Sequence, residues 1–246
     1  MIQPDLFPKT RVVFTQGGKG GVAKTEVALS LVSWYRSRGI NPVLLDFDIE
    51  NASKSGLKNF YPEARKLDVH REGALDEFFD LCDSPETSVV LADLGAGAGK
   101  STFDWFDQAF SDAVDASICF TAIGVTTNDA GAVQSVLKWA NQLQDQVDYV
   151  VVLNEFREPG CAFDYWYGEP ASASFTEIFS PAIIKMGARV PEFQAELRNQ
   201  AATLQSIIEG SVDCPFLKRM KNVMRAKRYQ RQMFEGFETA SAFLLI

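Results

Sequence analysis

Histidine is almost absent from this sequence: His70 is the only one in 246 residues. It belongs to no cluster of metal-binding residue types and reads as a surface loop residue. Cysteine is sparse too. Cys82, Cys119, Cys161 and Cys214 stand far apart with no CxxC pair, which reads as reduced thiols of a cytoplasmic protein rather than a disulfide framework. No apolar run approaches the ~20 residues that cross a bilayer. The opening MIQPDLFPKTR lacks the apolar stretch of a signal peptide. What remains is the composition of an ordinary globule, 46% apolar and 23% charged. A chain of this length is expected to form one α/β domain over residues 1–246, with a core that needs no metal or disulfide.

Acidic residues are missing from one place. The formal net charge is −8, yet residues 218–231 carry seven basic residues and no acidic one, leaving 17 basic against 32 acidic elsewhere. A basic patch on an acidic protein marks a candidate surface for an anionic partner.

Short apolar runs alternate with helical patterns. RVVFT (11–15), PVLLDF (42–47), SVVLADL (88–94), SICFTA (117–122) and YVVVLN (149–154) read as strands. Helices are predicted from TEVALSLVSWYRSRG, with Gly39 at its end, from ALDEFFDL (74–81) and from AGAVQSVLKWANQL (130–143). Buried strands separated by helices predict a three-layer α/β fold with a mostly parallel central sheet. Residues 155–190 look irregular, with a dense aromatic stretch FDYWY that reads mainly as packing beneath a long loop. Residues 191–210 read as one helix, opened by Pro191 and closed by Gly210, followed by a basic helix and an apolar tail, SAFLLI.

The stretch TQGGKGGVAKTEVALS follows the first strand and opens the first helix. Glycines there let backbone N–H groups converge on phosphate oxygens, and the helix N-terminus adds partial positive charge. Lys24 would then reach the β- and γ-phosphates of ATP, and the Thr25 hydroxyl would ligate Mg²⁺. Gly18, Lys24 and Thr25 match the general loop G-x-x-x-x-G-K-S/T, and Ala23 departs from it. A mere strand-to-helix turn is the competing reading, and the placed Lys-Thr pair argues against it.

Residues Lys19 to Thr25, KGGVAKT, resemble the deviant Walker A signature K-G-G-x-x-K-S/T of the ParA/MinD-like ATPases. The resemblance implies a P-loop NTPase fold with Gly18, Gly20, Gly21, Val22, Ala23, Lys24, Thr25 and Glu26 around the phosphates. It also implies that Lys19 crosses a homodimer interface to the partner's nucleotide, so that ATP holds two subunits together. Ala23 adds a methyl whose cost depends on whether the backbone there needs a positive φ. Glu26 stands where the family commonly has a second hydroxyl. A carboxylate repels phosphates, so it is expected to point outward.

Further motifs follow in family order. Asp46 and Asp48, two residues apart at the end of the second strand, face the same way. The resemblance gives Asp46 a role in holding hydrated Mg²⁺ and Asp48 one in orienting the attacking water, with Asn51 where many relatives have Asn. Asp93, after four apolar residues, matches a Walker B aspartate that meets Mg²⁺ through water. Gly95, Gly97 and Gly99 would sense the γ-phosphate. GAGAGKS mimics a second phosphate loop, but its first required glycine falls on Leu94, leaving Lys100 a surface or interface residue. Asn154 ends its strand where relatives bind the adenine edge. The ordered resemblance covers residues 11–154.

Within the basic segment 216–234, Lys218, Lys221, Arg225 and Arg228 recur as one helical stripe. Sequence-independent binding to DNA phosphates is one reading. A solvated helix face and a MinD-like membrane-surface anchor are the others, and the acids and weak amphipathic order of FEGFETASAFLLI favour DNA. The resemblance implies a slow, adaptor-stimulated ATP hydrolase that positions a plasmid or chromosome, or serves plasmid transfer. Two rival classes are a metabolic enzyme on this fold, such as an amidoligase, and a degenerate nucleotide-binding interaction protein. Lys19 argues against the first. Only Ala23 and Glu26 support the second.

Overall fold

The computed structural model describes residues 9–17, 19–47, 56–68, 71–95, 100–113 and 116–246. Gly18, Asp48, Asn51, His70, Gly97 and Gly99 lie outside them, as does the Lys100 side chain. In chain order the elements are β1 (Thr10–Gln16), α1 (Lys24–Ser37), β2 (Val43–Asp46), α2 (Leu57–Phe60), β3 (Arg65–Lys66), α3 (Ala74–Cys82), β4 (Val89–Asp93), α4 (Lys100–Ala113) and β5 (Ile118–Thr126). There follow α5 (Ala130–Leu143), β6 (Asp148–Asn154), α6 (Asp164–Tyr167), α7 (Pro170–Phe179), β7 (Ala182–Met186), α8 (Pro191–Asn199), α9 (Leu204–Glu209), α10 (Met220–Thr239) and α11 (Ser241–Leu244).

The strands form one seven-stranded sheet in the order β3-β2-β4-β1-β5-β6-β7. Every described pairing is parallel, so the expected mostly parallel sheet is parallel throughout. All seven residues of β1 are buried, the charged Arg11 and polar Gln16 included, as a strand covered on both faces requires. Phe14, Phe78, Phe106 and Trp139 belong to the core on the α3–α5 side. Val13, Leu31, Trp34 and Phe237 belong to the opposite core, under α1 and α10. A third, smaller core joins α8, α9 and α10 through Phe193, Leu217 and Tyr229.

From central β1 the chain builds outward on one side through β2–β4, then on the other through β5–β7. That reversal leaves a crevice at the carboxyl ends of the strands, where parallel α/β sheets bind ligands. The phosphate-loop candidate sits there, between β1 and α1.

Residues 155–190 are more regular than their sequence suggested. They hold α6, α7 and the sheet strand β7. In AIIKM only Ile184 and Met186 are buried, so the strand lacks the continuous apolar run of its neighbours. The aromatic stretch divides: Phe163 and Trp166 are buried, whereas Tyr165 and Tyr167 are exposed. The single helix expected over 191–210 is two. Ala201 turns with φ 46°, and Thr203 and Ser206 form a reciprocal capping box that starts α9 afresh.

The apolar tail is docked. Leu244 is fully buried, and three successive carbonyls are held from within the fold. Arg11 donates to Phe243 and Leu245, Tyr35 donates to Leu244, and Thr121 donates to Phe243.

Candidate nucleotide-binding site

Among its described residues, the loop from β1 to α1 has positive φ at Gly17 (126°), Gly21 (78°) and Ala23 (82°). Glycine enters this region freely; alanine is strained there by its Cβ. Ala23 is the residue before α1, and no side chain caps the helix at that position. The first-turn N–H groups are thus left for a ligand. Lys24 is buried and folds back into the loop, donating through Nζ to the Gly17 carbonyl (2.8 Å) and the Lys19 carbonyl (3.1 Å).

Behind the loop lie the two acidic residues. Asp46 and Asp93 are opposite each other in the β2–β4 register, and both are buried. The Asp46 carboxylate accepts from the Lys58 backbone N–H at 3.0 Å. Asp93 accepts from the Thr15 hydroxyl at 2.7 Å and also bonds the Thr25 hydroxyl. Burial pushes the Asp93 carboxyl up to about 6, the neighbouring Asp46 adds to that, and Thr15, Thr25 and Lys24 oppose it. Two adjacent buried carboxylates with a threonine hydroxyl between them and the loop suit a hard divalent cation such as Mg²⁺. Among the described residues no three acidic, histidine or cysteine groups converge on a metal position. Asp48 is outside those residues.

Asn154 is buried and ties two walls of the site. Its Nδ2 donates to the Val22 carbonyl (3.0 Å), and its Oδ1 accepts from the Phe156 N–H (2.9 Å). A cavity of about 450 Å³ opens between these parts. Its lining includes Gly20, Gly21, Lys24, Thr25, Asp93 and Asn154.

Glu26 does not point outward. Its side chain is 18% exposed and meets Arg189 at 3.2 Å and Arg198 at 3.7 Å, and Gln194 donates to it as well. Burial raises the Glu26 pKa and the two arginines pull it back down. The outward expectation failed because it weighed only repulsion by phosphate. Two guanidinium groups from the β7–α8 region hold the carboxylate in the cavity wall instead.

Lys19 behaves unlike Lys24. Its side chain is 43% exposed and pairs with Asp129, which also caps α5 by accepting from the Ala132 N–H at 2.9 Å. The Lys19 ammonium first, and the Ala132 N–H next, hold the Asp129 carboxyl below the usual range. Arg189, Gln194, Arg198 and Asp129 were missed by sequence reasoning. A short strand ending in Met186, followed by a turn into Pro191, was the available signal for the first three.

The basic segment is only partly the expected stripe. Lys221 and Arg228 are exposed. Lys218 pairs with Asp213 at 3.2 Å, and Arg225 is half-buried, donating to Asn222 at 2.8 Å. The phase is set by the buried face of α10, Asn222, Ala226, Tyr229, Met233 and Phe237. Its outer face therefore presents Lys221, Lys227, Arg228 and Arg231 around exposed Met220 and Met224.

No curated protein sequence matches this chain. Among solved structures, it resembles the cell-division ATPase MinD of Pyrococcus furiosus, with TM-score 0.53, 15% identity, and 94% of this chain and 99% of that one covered. It resembles the ATP complex of McdA from Cyanothece with TM-score 0.52, 11% identity, and 95% and 97% covered. For the MinC:MinD cell division complex of Aquifex aeolicus the figures are 0.51, 14%, 92% and 95%. At such identities the likeness establishes a shared fold, the α/β P-loop type. The family model described as the CobQ/CobB/MinD/ParA nucleotide binding domain matches residues 13–235. That span runs from within β1 to the last turns of α10, and on it this chain belongs to the CobQ/CobB/MinD/ParA nucleotide-binding family.

Proposed function

We propose that this chain is an ATP-dependent dimerising switch of the ParA type, acting on DNA. The observation that carries the reading is the different fate of the two lysines. Lys24 is buried within its own loop, while Lys19 stands at the rim, exposed and paired with the exposed Asp129. One lysine suits the chain's own phosphates and the other suits a neighbour's.

In this reading the loop amides, Lys24 and Thr25 hold the phosphates, and Asn154 borders the base. Thr25, Asp46 and Asp93 would hold Mg²⁺, which when bound would neutralise charge on the phosphate being transferred. Asp48 is the proposed water-orienting residue. MinD is found in a complex with MinC, and an adaptor that speeds hydrolysis is proposed here by analogy. The outer face of α10, with Lys221, Lys227, Arg228 and Arg231, is the proposed contact to DNA phosphates. Plasmid or chromosome positioning and plasmid transfer both fit that chemistry. A MinD-like tail anchor fits less well, because the Phe243, Leu244 and Leu245 carbonyls are tied into the fold.

Sedimentation with ATP or ADP tests the dimer. Wild-type protein is expected to dimerise with ATP alone and Lys19→Ala to remain monomeric; unchanged ATP-driven dimerisation in Lys19→Ala would refute the cross-subunit role. DNA retention is expected to need ATP, to fall steeply with salt, and to be lost in a Lys221→Glu, Arg228→Glu double variant. Retention indifferent to ATP would refute the switch.

A further inference from the structure

Among the described residues, Nη2 of Arg189 and Oε1 of Gln194 in the cavity wall are buried without a partner. Both residues are already fixed by Glu26. Arg189 gives its Nη1 to one carboxylate oxygen at 3.2 Å, and its guanidinium lies 5.5 Å over the Tyr229 ring. Gln194 gives its Nε2 to the other oxygen. An ionised carboxylate only accepts, so the Gln194 nitrogen must face Glu26 and its oxygen must face away. The cluster therefore has one unused donor and one unused acceptor, both buried.

A single group that accepts one hydrogen bond and donates another is a hydroxyl. A carbonyl would satisfy only Arg189, and an amide N–H only Gln194. An ionised phosphate would satisfy Arg189 but, as an acceptor, would leave the Gln194 oxygen without a donor. Arg189, Gln194 and Glu26 line the same cavity as Lys24, Thr25 and Asn154. Glu26 directly follows Thr25 in the first turn of α1, which puts the cluster next to the phosphate end. The sugar is the hydroxyl-bearing part of a nucleotide and directly adjoins its phosphates.

We propose that Glu26, Arg189 and Gln194 form a ribose-recognition element, in which Arg189 donates to and Gln194 accepts from a sugar hydroxyl of the bound nucleotide. Glu26 is the positioning residue that aims both. This rests on the nucleotide reading of the site. It adds a selectivity: the chain discriminates ribonucleotides from deoxynucleotides. A site whose buried polar groups lose their partner rejects the analogue strongly, and one charge-assisted hydrogen bond corresponds to about 10- to 100-fold in affinity.

The test compares ATP, 2′-deoxyATP, 3′-deoxyATP and inorganic tripolyphosphate by calorimetry, on wild type, Gln194→Leu and Arg189→Lys. Wild type is expected to bind ATP at least about 10-fold more tightly than one of the two deoxy forms. In Gln194→Leu and Arg189→Lys that ratio should fall toward one while tripolyphosphate binding stays unchanged, which also shows that the loop is folded. Equal wild-type affinity for all three nucleotides overturns the proposal and points to a bound water between the two atoms. So does a uniform loss in Gln194→Leu that leaves the ratio intact. Wild type that binds neither ATP nor tripolyphosphate removes the nucleotide reading itself, a result distinct from either.

Discussion

Ala23 offers the sharpest test of how this loop is built. It sits at φ 82°, ψ 33° immediately before α1, a conformation that costs an L-residue about 1–2 kcal/mol and glycine almost nothing. Replacing it with glycine removes that strain. It also frees the unfolded chain, which offsets about 0.4–1 kcal/mol. No side-chain cap is lost, because Ala23 makes none. The net expectation for Ala23→Gly is about 0.5–1 kcal/mol of added stability, or roughly 1–4 °C in Tm for a chain of this length. Ala23→Val should move the other way by several degrees, since a β-branched residue at positive φ is a true outlier. Differential scanning calorimetry, with and without saturating ADP, measures both. A fall in Tm for Ala23→Gly, or no change for Ala23→Val, would show that the alanine carries no strain and that the φ argument is wrong.

Other expectations follow from single contacts. Asp129→Asn keeps the α5 cap, since Asn caps as well as Asp, but releases Lys19. The pair is exposed and contributes about 0–1 kcal/mol, so ATP-driven dimerisation should strengthen by up to about 5-fold per lysine in sedimentation; weaker dimerisation would refute this. Asp93 has a folded pKa of about 6, above the ordinary carboxylate value of about 3.9. Between those two pH values the native state keeps a proton that the unfolded chain has lost. Stability of the metal-free protein should therefore decline as pH rises through that window, by roughly 2–3 kcal/mol in all. Asp93→Asn should flatten the slope in urea titrations with EDTA, and an unaltered slope would assign it to another group. A Cβ on Gly236 would lie 2.4 Å from Ile184, so Gly236→Ala should cost about 1–3 kcal/mol by overpacking α10 against β7; a neutral result would mean that α10 shifts freely on the sheet.

The central strands and the helix over Ala130–Leu143 were legible because each signal is local. Val-rich runs such as VVF and VVVL are buried on both faces, and α5 carries its apolar residues at helical spacing up to its last turn. β7 was not legible. As an edge strand it buries only one face, and AIIKM is short beside its neighbours. The break near Ala201 was hidden for a related reason. Thr203 and Ser206 cap a new helix inside a sequence whose Pro191 and Gly210 mark plausible outer limits for one helix. The phosphate-loop candidate, Asp46 and Asp93 lie at the same end of the sheet, because loop and strand ends are fixed by its register.

Glu26 shows where local reasoning stops. Its neighbours in sequence are Lys24, Thr25 and the positive end of a helix, and a carboxylate among phosphate ligands reads as an intruder. Its neighbours in space are Arg189 and Arg198, more than 160 residues away. Those side chains arrive only because β7 adds to the sheet edge and turns into α8 at Pro191, so missing β7 in the sequence meant missing the counter-charges. The pair changes the electrostatic account of the site. One acid facing two guanidinium groups leaves that wall net positive, so the substitution that looked hostile to phosphate comes with more cation than it removes. Breaking a buried pair by deleting one partner is costly. Glu26 and Arg189 therefore act as a unit, and the wall of the nucleotide cavity is built from both ends of the matched span.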